Sequence, residues 1–85
     1  RRLQTMMSQE TYLFDGTIAS NLRIANEQAS DDELREALRK ASILLLVESL
    51  PQGIETPVGE LGGRLSEGER QRVGLARMFL RHADL

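Results

Sequence analysis

Residues 65–80 read LSEGERQRVGLARMFL, a stretch that sets a helix-start signal around a glycine that helix interiors disfavour. Ser66 and Glu69 have the S-x-x-E spacing of a capping box, in which each side chain accepts a hydrogen bond from the other residue's backbone N–H. Gly68, between them, lowers helix propensity by about 1 kcal/mol relative to Ala. Two readings account for this. In the first, Ser66 and Glu69 simply open the helix and Gly68 is incidental. In the second, the unpaired N–H groups and positive dipole end of the helix form an anion site. Gly68, lacking a Cβ, then lets the backbone approach a phosphate closely. Glu67 and Glu69 bring negative charge to such a site, so they must point away, Glu69 back toward its own cap. Spacing alone leaves both readings open.

Downstream of Ser66 the pattern predicts a helix to about Leu80. Around its axis Arg70, Gly74, Arg77 and Arg81 form one stripe, and the arginines Arg70, Arg72, Arg77 and Arg81 are expected to be solvated and locally salt-bridged rather than a phosphate patch. Val73, Leu75, Ala76, Phe79 and Leu80 fill a wide opposite arc, broader than a small bundle needs. That width predicts packing against something the 85 residues lack.

Upstream, the strongest helix start is at Ser30, with Glu33 at the capping-box position and Asp31 and Asp32 favoured by the helix dipole rather than by a metal. Leu34, Ala37, Leu38 and Ala41 make its buried stripe. Asp31 with Arg35, and Glu36 with Lys40, are expected as i,i+4 pairs on the wet side. Ser42 is expected to break this helix and cap a second one over ILLLVESL (43–50), which Pro51 and Gly53 end. Because Ile43 to Val47 is apolar all round, that segment should be mostly covered. A shorter helix is predicted over about 18 to 24, after a DGT turn (15–17), with Ile18, Leu22 and Ala25 on one face. The opening RRLQTMMSQETYLF reads as a short strand or loop, and Gln52 to Arg64 as a glycine-rich loop long enough to suspect function.

Composition narrows the function classes. A chain of 85 residues makes at most one domain, burying only about 60–65% of its unfolded surface, which disfavours a large enclosed active site. Aromatics are only 4% of residues, so the core must be aliphatic. The net charge of −2 offers no basic excess for a nucleic-acid backbone. Cysteine is absent and His82 is the single histidine, which excludes disulfides, thiolate metal sites and histidine clusters. No apolar run nears the roughly 20 residues that span a bilayer, and the N-terminal arginines precede no hydrophobic signal region; the chain is expected to be soluble. Its lack of an initiator Met and its ending on RHADL suggest an excised piece of a longer protein.

The segment LSEGERQRVGLARMFLRHADL resembles the signature segment of ATP-binding cassette (ABC) ATPases, LSGGQ-Q/R-Q-R-x-x-x-A-R-A-L, through Leu65, Ser66, Gly68, Gln71, Arg72, Ala76 and Arg77. Glu67 stands at the first signature glycine, Glu69 at the glutamine, and Met78 at the usual alanine. Two further stretches match in order. MMSQETYLFDGTIASNL is similar to the Q-loop segment of the exporter branch, with Gln9, Leu13, Phe14, Gly16, Thr17, Ile18, Asn21 and Leu22 in register. SLPQGIETPVGELGGRLSEGE is similar to the exporter stretch before the signature, through Ser49, Leu50, Pro51, Gly53, Thr56, Val58, Gly59, Glu60 and Gly62.

The resemblance implies a mainly α fold, a small bundle of three to four helices with an irregular or extended N-terminal segment. It would be a subdomain inserted into a P-loop α/β ATPase. Residues 1–16 would be the Q-loop segment and 65–80 the signature motif and helix. Gln9 would contact the Mg²⁺ and attacking water of ATP on its own subunit. Leu65, Ser66, Glu67, Gly68 and Glu69 would contact ATP held by the opposite subunit of a head-to-tail dimer. Tyr12, Leu13 and Phe14 would line the groove for a coupling helix of the transmembrane domain, with Glu60 near both coupling helix and dimer partner. The parent protein would export a solute from the cytoplasmic face of the cell membrane.

The physics of phosphoryl transfer fits a supporting role. The reaction needs a phosphate cradle, a lysine, Mg²⁺ ligands and a residue that orients the nucleophile. No G-x-x-x-x-G-K-[ST] occurs, the sole lysine is Lys40, and the chain stops where the family's Walker B strand would begin. The isolated polypeptide is therefore expected neither to hold ATP and Mg²⁺ tightly nor to hydrolyse ATP. His82 is read as a solvent-facing residue near a helix end. Two other classes stay in view. One is a stand-alone helical interaction module using the Leu44 to Val47 region. The other is an ABC-type ATPase not linked to transport, against which the T-x-V-G-E stretch argues.

Overall fold

The structure, a computed structural model, describes residues 12–59 and 65–81. Four helices and a two-stranded antiparallel ribbon make it mainly α, as expected. The elements are β1 (Gly16–Thr17), α1 (Ile18–Leu22), α2 (Asp31–Lys40), α3 (Leu44–Ser49), β2 (Pro57–Val58) and α4 (Glu67–Arg81), with a 3₁₀ turn at Gly53–Glu55.

Local chemistry sets each start. Thr17 caps α1 through a capping box with Ser20, its Oγ1 accepting from the Ser20 N–H at 2.9 Å. At α2 the Ser30 Oγ accepts from the Glu33 N–H at 3.1 Å, and Glu33 Oε1 accepts from the Ser30 N–H at 2.8 Å. The acids at this helix start are engaged locally. Asp31 pairs with Arg23 of the preceding turn at 2.7 Å, Asp32 lies 3.6 Å from Arg35, and Arg39 is bonded to Glu36. The predicted i,i+4 pairs are thus replaced by i,i+3 pairs and by Arg23, whose Nε also donates to the Ala29 carbonyl. Arg35 turns instead toward Asp32 and Glu48.

Ser42 ends α2 in the left-handed region, with φ of 63°, and it does not cap α3: Ile43 stands at that N-cap without a side-chain hydrogen bond. With the turn at Ser42 the next helix begins one residue later than expected, so Ser42 stands before the N-cap position from which a hydroxyl reaches the first-turn N–H groups. The α3 segment is less covered than its composition predicts. Ile43 and Val47 are buried, but Leu45 is 85% exposed, because a two-turn helix on the bundle surface has one face turned away from the other described elements.

The core is aliphatic. Ile18 and Leu22 of α1, Leu34 and Leu38 of α2, Val47 of α3 and Val73 of α4 are almost wholly buried, each side chain contributing about 2 kcal/mol of transfer free energy. The α2–α4 contact is the most extensive, followed by α1–α4. The long helix is therefore the common wall of the bundle.

The stretch expected to be an irregular loop is partly regular. Beyond the 3₁₀ turn, β2 pairs with β1 in register Gly16↔Val58 and Thr17↔Pro57, and the Ile18 N–H donates to the Thr56 carbonyl at 3.1 Å. Gly59 follows β2 with φ of 99°. A Cβ there would lie 2.7 Å from the Asp15 Cα and 2.8 Å from its N; two backbones approach where only glycine fits.

Candidate functional site

Helix α4 carries a candidate site at each end of its inner face. At the N-terminus the Ser66 N–H donates to Glu69 Oε1 at 2.9 Å, and the Glu69 N–H donates to Ser66 Oγ at 3.2 Å. The capping box forms, and Glu69 is folded back onto its own cap. Leu65 is buried against the core and anchors the entry, while Ser66, Glu67 and Gly68 are exposed. A Cβ built on Gly68 meets nothing within 4 Å. Among the described residues, no packing requires a glycine here.

The second site is an extended segment laid across α1 and α4. Tyr12 and Phe14 are 54% and 50% exposed, and their rings meet edge-to-face with centroids 4.9 Å apart. Leu13, expected to share that face, points into the core, since alternate residues of an extended chain face opposite sides. The backbone between the rings is fixed by two buried polar side chains. Asn21 accepts from the Phe14 N–H at 2.8 Å and donates to the Phe14 and Thr17 carbonyls at 3.0 and 2.9 Å. Arg77 Nη2 donates to the Tyr12 carbonyl at 2.8 Å.

Arg77 corrects the solvated-stripe expectation for α4. It is 3% exposed, among Val73, Ala76 and Leu80 on the buried face, whereas Leu75 and Phe79 of the expected apolar arc are 40% and 38% exposed. The bundle covers only the half of that arc adjoining the arginine stripe. Positions 73, 76, 77 and 80 keep helical i, i+3, i+4, i+7 spacing, so the signal for an inward Arg77 is present in the sequence. Arg72 Nη1 reaches the Ser42 carbonyl at 3.4 Å and ties α4 to the α2–α3 corner. Asn21, matched but given no role from sequence, has a similar signal, a polar residue three after Ile18 and one before Leu22 on a short apolar helix.

Gln9, Glu60 and His82 lie outside the described residues. Among the described residues, no group of three or more His, Asp or Glu side chains could hold a metal ion, and no helix is long and apolar enough to cross a membrane. A shallow open groove beside α1, rimmed by Ser20, Arg23, Ile24, Glu27 and Glu55, brings no convergent polar set together.

Comparison with known proteins places these features in one family. A sequence model of the family described as ABC transporter matches residues 1–85. A probable ABC transporter ATP-binding/permease protein of Haemophilus influenzae is 49% identical over 79 residues, 93% of this chain and 14% of that protein. ABC transporter B family member 6 of Dictyostelium discoideum is 48% identical over 81 residues, 95% of this chain and 12% of that protein. An ATP-dependent lipid A-core flippase of Chromobacterium violaceum is 45% identical over 80 residues, 94% of this chain and 14% of that protein. The chain thus spans only about one seventh of the length of such relatives, in each case nearly all of itself. With a full-length family match and relatives this similar, the exposed helix start at Ser66–Gly68 and the clamped aromatic segment at Tyr12–Phe14 are features of a chain that belongs to the ABC transporter family, as part of its ATP-binding domain.

Proposed function

We propose that this chain is the signature-bearing helical subdomain of the ATPase half of an ABC exporter, coupling ATP binding and hydrolysis to solute export at the cytoplasmic face of a membrane. The observation that carries this reading is the start of α4. The Ser66–Glu69 box forms while a Cβ on Gly68 would meet nothing within 4 Å among the described residues, which supports a glycine kept for the approach of a bound group. A terminal phosphate of ATP fits it, because the first-turn N–H groups and the helix dipole favour an anion. In a head-to-tail dimer that ATP is held by the opposite ATPase subunit.

The exposed Tyr12–Phe14 rings are the surface offered to a coupling helix of the transmembrane domain, with Glu60 beside it and Gln9 serving the Mg²⁺ and attacking water of the chain's own subunit. Mg²⁺, where bound, would neutralise phosphate charge; besides Gln9, its ligands and the phosphate cradle would come from the rest of the domain, so the 85 residues alone are not expected to turn over ATP. The names of the relatives support transport as the task, two being called ABC transporters and one a flippase. The ATP-binding/permease description of the first supports fusion to the membrane domain in the parent.

The test is ATPase activity of the intact parent carrying Ser66→Arg or Gly68→Asp. A fall of about 100-fold or more is expected from a blocked or charge-reversed phosphate contact. Activity unchanged in both variants overturns the assignment.

A further inference from the structure

Burying a guanidinium is costly unless its hydrogen bonds are met by the fold, and a leucine or methionine would fill the same space on α4 without that cost. Arg77 is nonetheless 3% exposed, and its Nη2 reaches across 65 positions of sequence to the Tyr12 carbonyl at 2.8 Å. What it holds is the backbone of a residue whose ring faces outward. From the other side Asn21, 1% exposed, takes both backbone groups of Phe14, and Leu13 between them is sunk in the core. The aromatic pair is therefore held to α4 by Arg77 and to α1 by Asn21. The same α4 begins at the capping box of Ser66 and Glu69, eleven residues or about 16 Å along the axis from Arg77.

We propose that Arg77 is a positioning residue that latches the Tyr12–Phe14 platform to α4, so that displacement of the platform moves the Ser66–Gly68 end of the helix with it. This rests on the reading of the two ends given above. The planar fork of arginine suits the task, because it fixes direction as well as distance to a carbonyl. The single ammonium of lysine reaches the same oxygen with less directional control.

The experiment uses the full-length parent, its other cysteines replaced, with spin labels at positions 14 and 70 and pulsed dipolar distance measurement in the nucleotide-free and ATP–vanadate-trapped states; unlabelled protein supplies kcat and KM for ATP. With Arg77 present the distance distribution is narrow and the same in both states. Arg77→Met is expected to widen it at least twofold and to lower kcat about tenfold with KM within twofold, and Arg77→Lys to recover part of both. A distribution as narrow as the parent's, or a kcat within twofold of it, in folded Arg77→Met protein overturns the proposal. So does equal widening in Leu38→Ala, a core variant whose loosening is general. Ser66→Arg and Gly68→Asp, assayed alongside, report separately on the signature reading: unchanged kcat in both would defeat that reading, whatever the width shows for the latch.

Discussion

Asn21 and the backbone of Phe14 close a two-way hydrogen-bonded ring, the side-chain Oδ1 accepting from the Phe14 N–H at 2.8 Å and Nδ2 donating to its carbonyl at 3.0 Å. A second bond from Nδ2 reaches the Thr17 carbonyl at 2.9 Å, at the N-cap of α1. One buried amide thus joins the platform to the helix behind it. Removing it deprives the part-buried Phe14 N–H and carbonyl of their partner, at about 1–3 kcal/mol each, whereas the Thr17 carbonyl keeps the Ser20 hydroxyl at 3.0 Å. Asn21→Ala is expected to destabilise the intact ATP-binding domain by about 2–4 kcal/mol in urea unfolding. Asn21→Asp should be worse still, because a carboxylate faces two carbonyls to which the amide had donated. An Asp variant as stable as the parent would refute this account.

Gly59 and Gly53 separate two costs of replacing glycine. Both have positive φ, 99° and 55°, but a Cβ at Gly59 would lie within 2.8 Å of the Asp15 backbone, whereas at Gly53 it meets nothing within 4 Å. Gly53→Ala should therefore cost about 1 kcal/mol, the left-handed conformation alone. Gly59→Ala adds a clash with main chain that cannot rotate away, for a total of about 3 kcal/mol or more. Equal melting temperatures for the two variants would show that the β1–β2 end yields freely.

The contrast between such positions explains what was legible beforehand. Capping boxes and the Leu34–Leu38 stripe depend on residues three or four apart, and sequence reading found them because the determining partners are local. The pairing of β1 with β2, and Arg77 with Tyr12, depend on residues some 40 and 65 positions apart, which no local pattern specifies. The burial of Arg77 turned on which half of a broad apolar arc the bundle covers, and it covers the half beside Arg77, with Val73, Ala76 and Leu80. The i,i+4 pairs failed for a related reason. Exposed ion pairs are worth so little that Asp31 goes to Arg23 on a neighbouring turn without appreciable cost. At the candidate phosphate site the motif singled out Gly68, and the structure adds that none of the described residues crowds it.

Two equivalent caps allow the helix role of Ser66 to be separated from its ligand role. Ser30 and Ser66 both accept from the N–H three residues on, at 3.1 and 3.2 Å. Either Ser→Ala change should cost about 1 kcal/mol of stability. Only Ser66→Ala should also slow ATP turnover in the intact protein, by about tenfold for a lost phosphate contact. If Ser30→Ala slows turnover equally, the effect at Ser66 is one of helix stability.

A pH effect is expected from Glu36. The hydrogen bond from Arg39, followed by the nearby positive charge, holds the Glu36 carboxyl below its ordinary value. A carboxylate lowered on folding stabilises the fold above its unfolded pKa, and that contribution disappears as pH falls through the lowered folded value. The stability difference between parent and Glu36→Gln should thus be constant near neutrality, shrink through the acidic range, and be small throughout, since the pair lies on the exposed surface. A difference that grows on acidification would contradict the sign.

Glu67 is the departure from the signature pattern with the clearest electrostatic consequence. It is exposed in the first turn of α4, one residue from Gly68, where negative charge favours the helix but opposes an incoming phosphate. Two unit charges about 8 Å apart at an effective dielectric constant near 40 interact by about 1 kcal/mol, a factor of about 5 in affinity. Glu67→Gln, which keeps a good helix former, should therefore lower the KM for ATP of the intact protein by about fivefold at low ionic strength. The gain should shrink toward nothing at about 1 M salt, where the screening length falls to about 3 Å. Glu67→Gly removes the same charge but weakens the first turn by about 1 kcal/mol, so it should gain no more than Gln. A gain from glycine alone would mean that the backbone at position 67, rather than its charge, limits the approach of the phosphate.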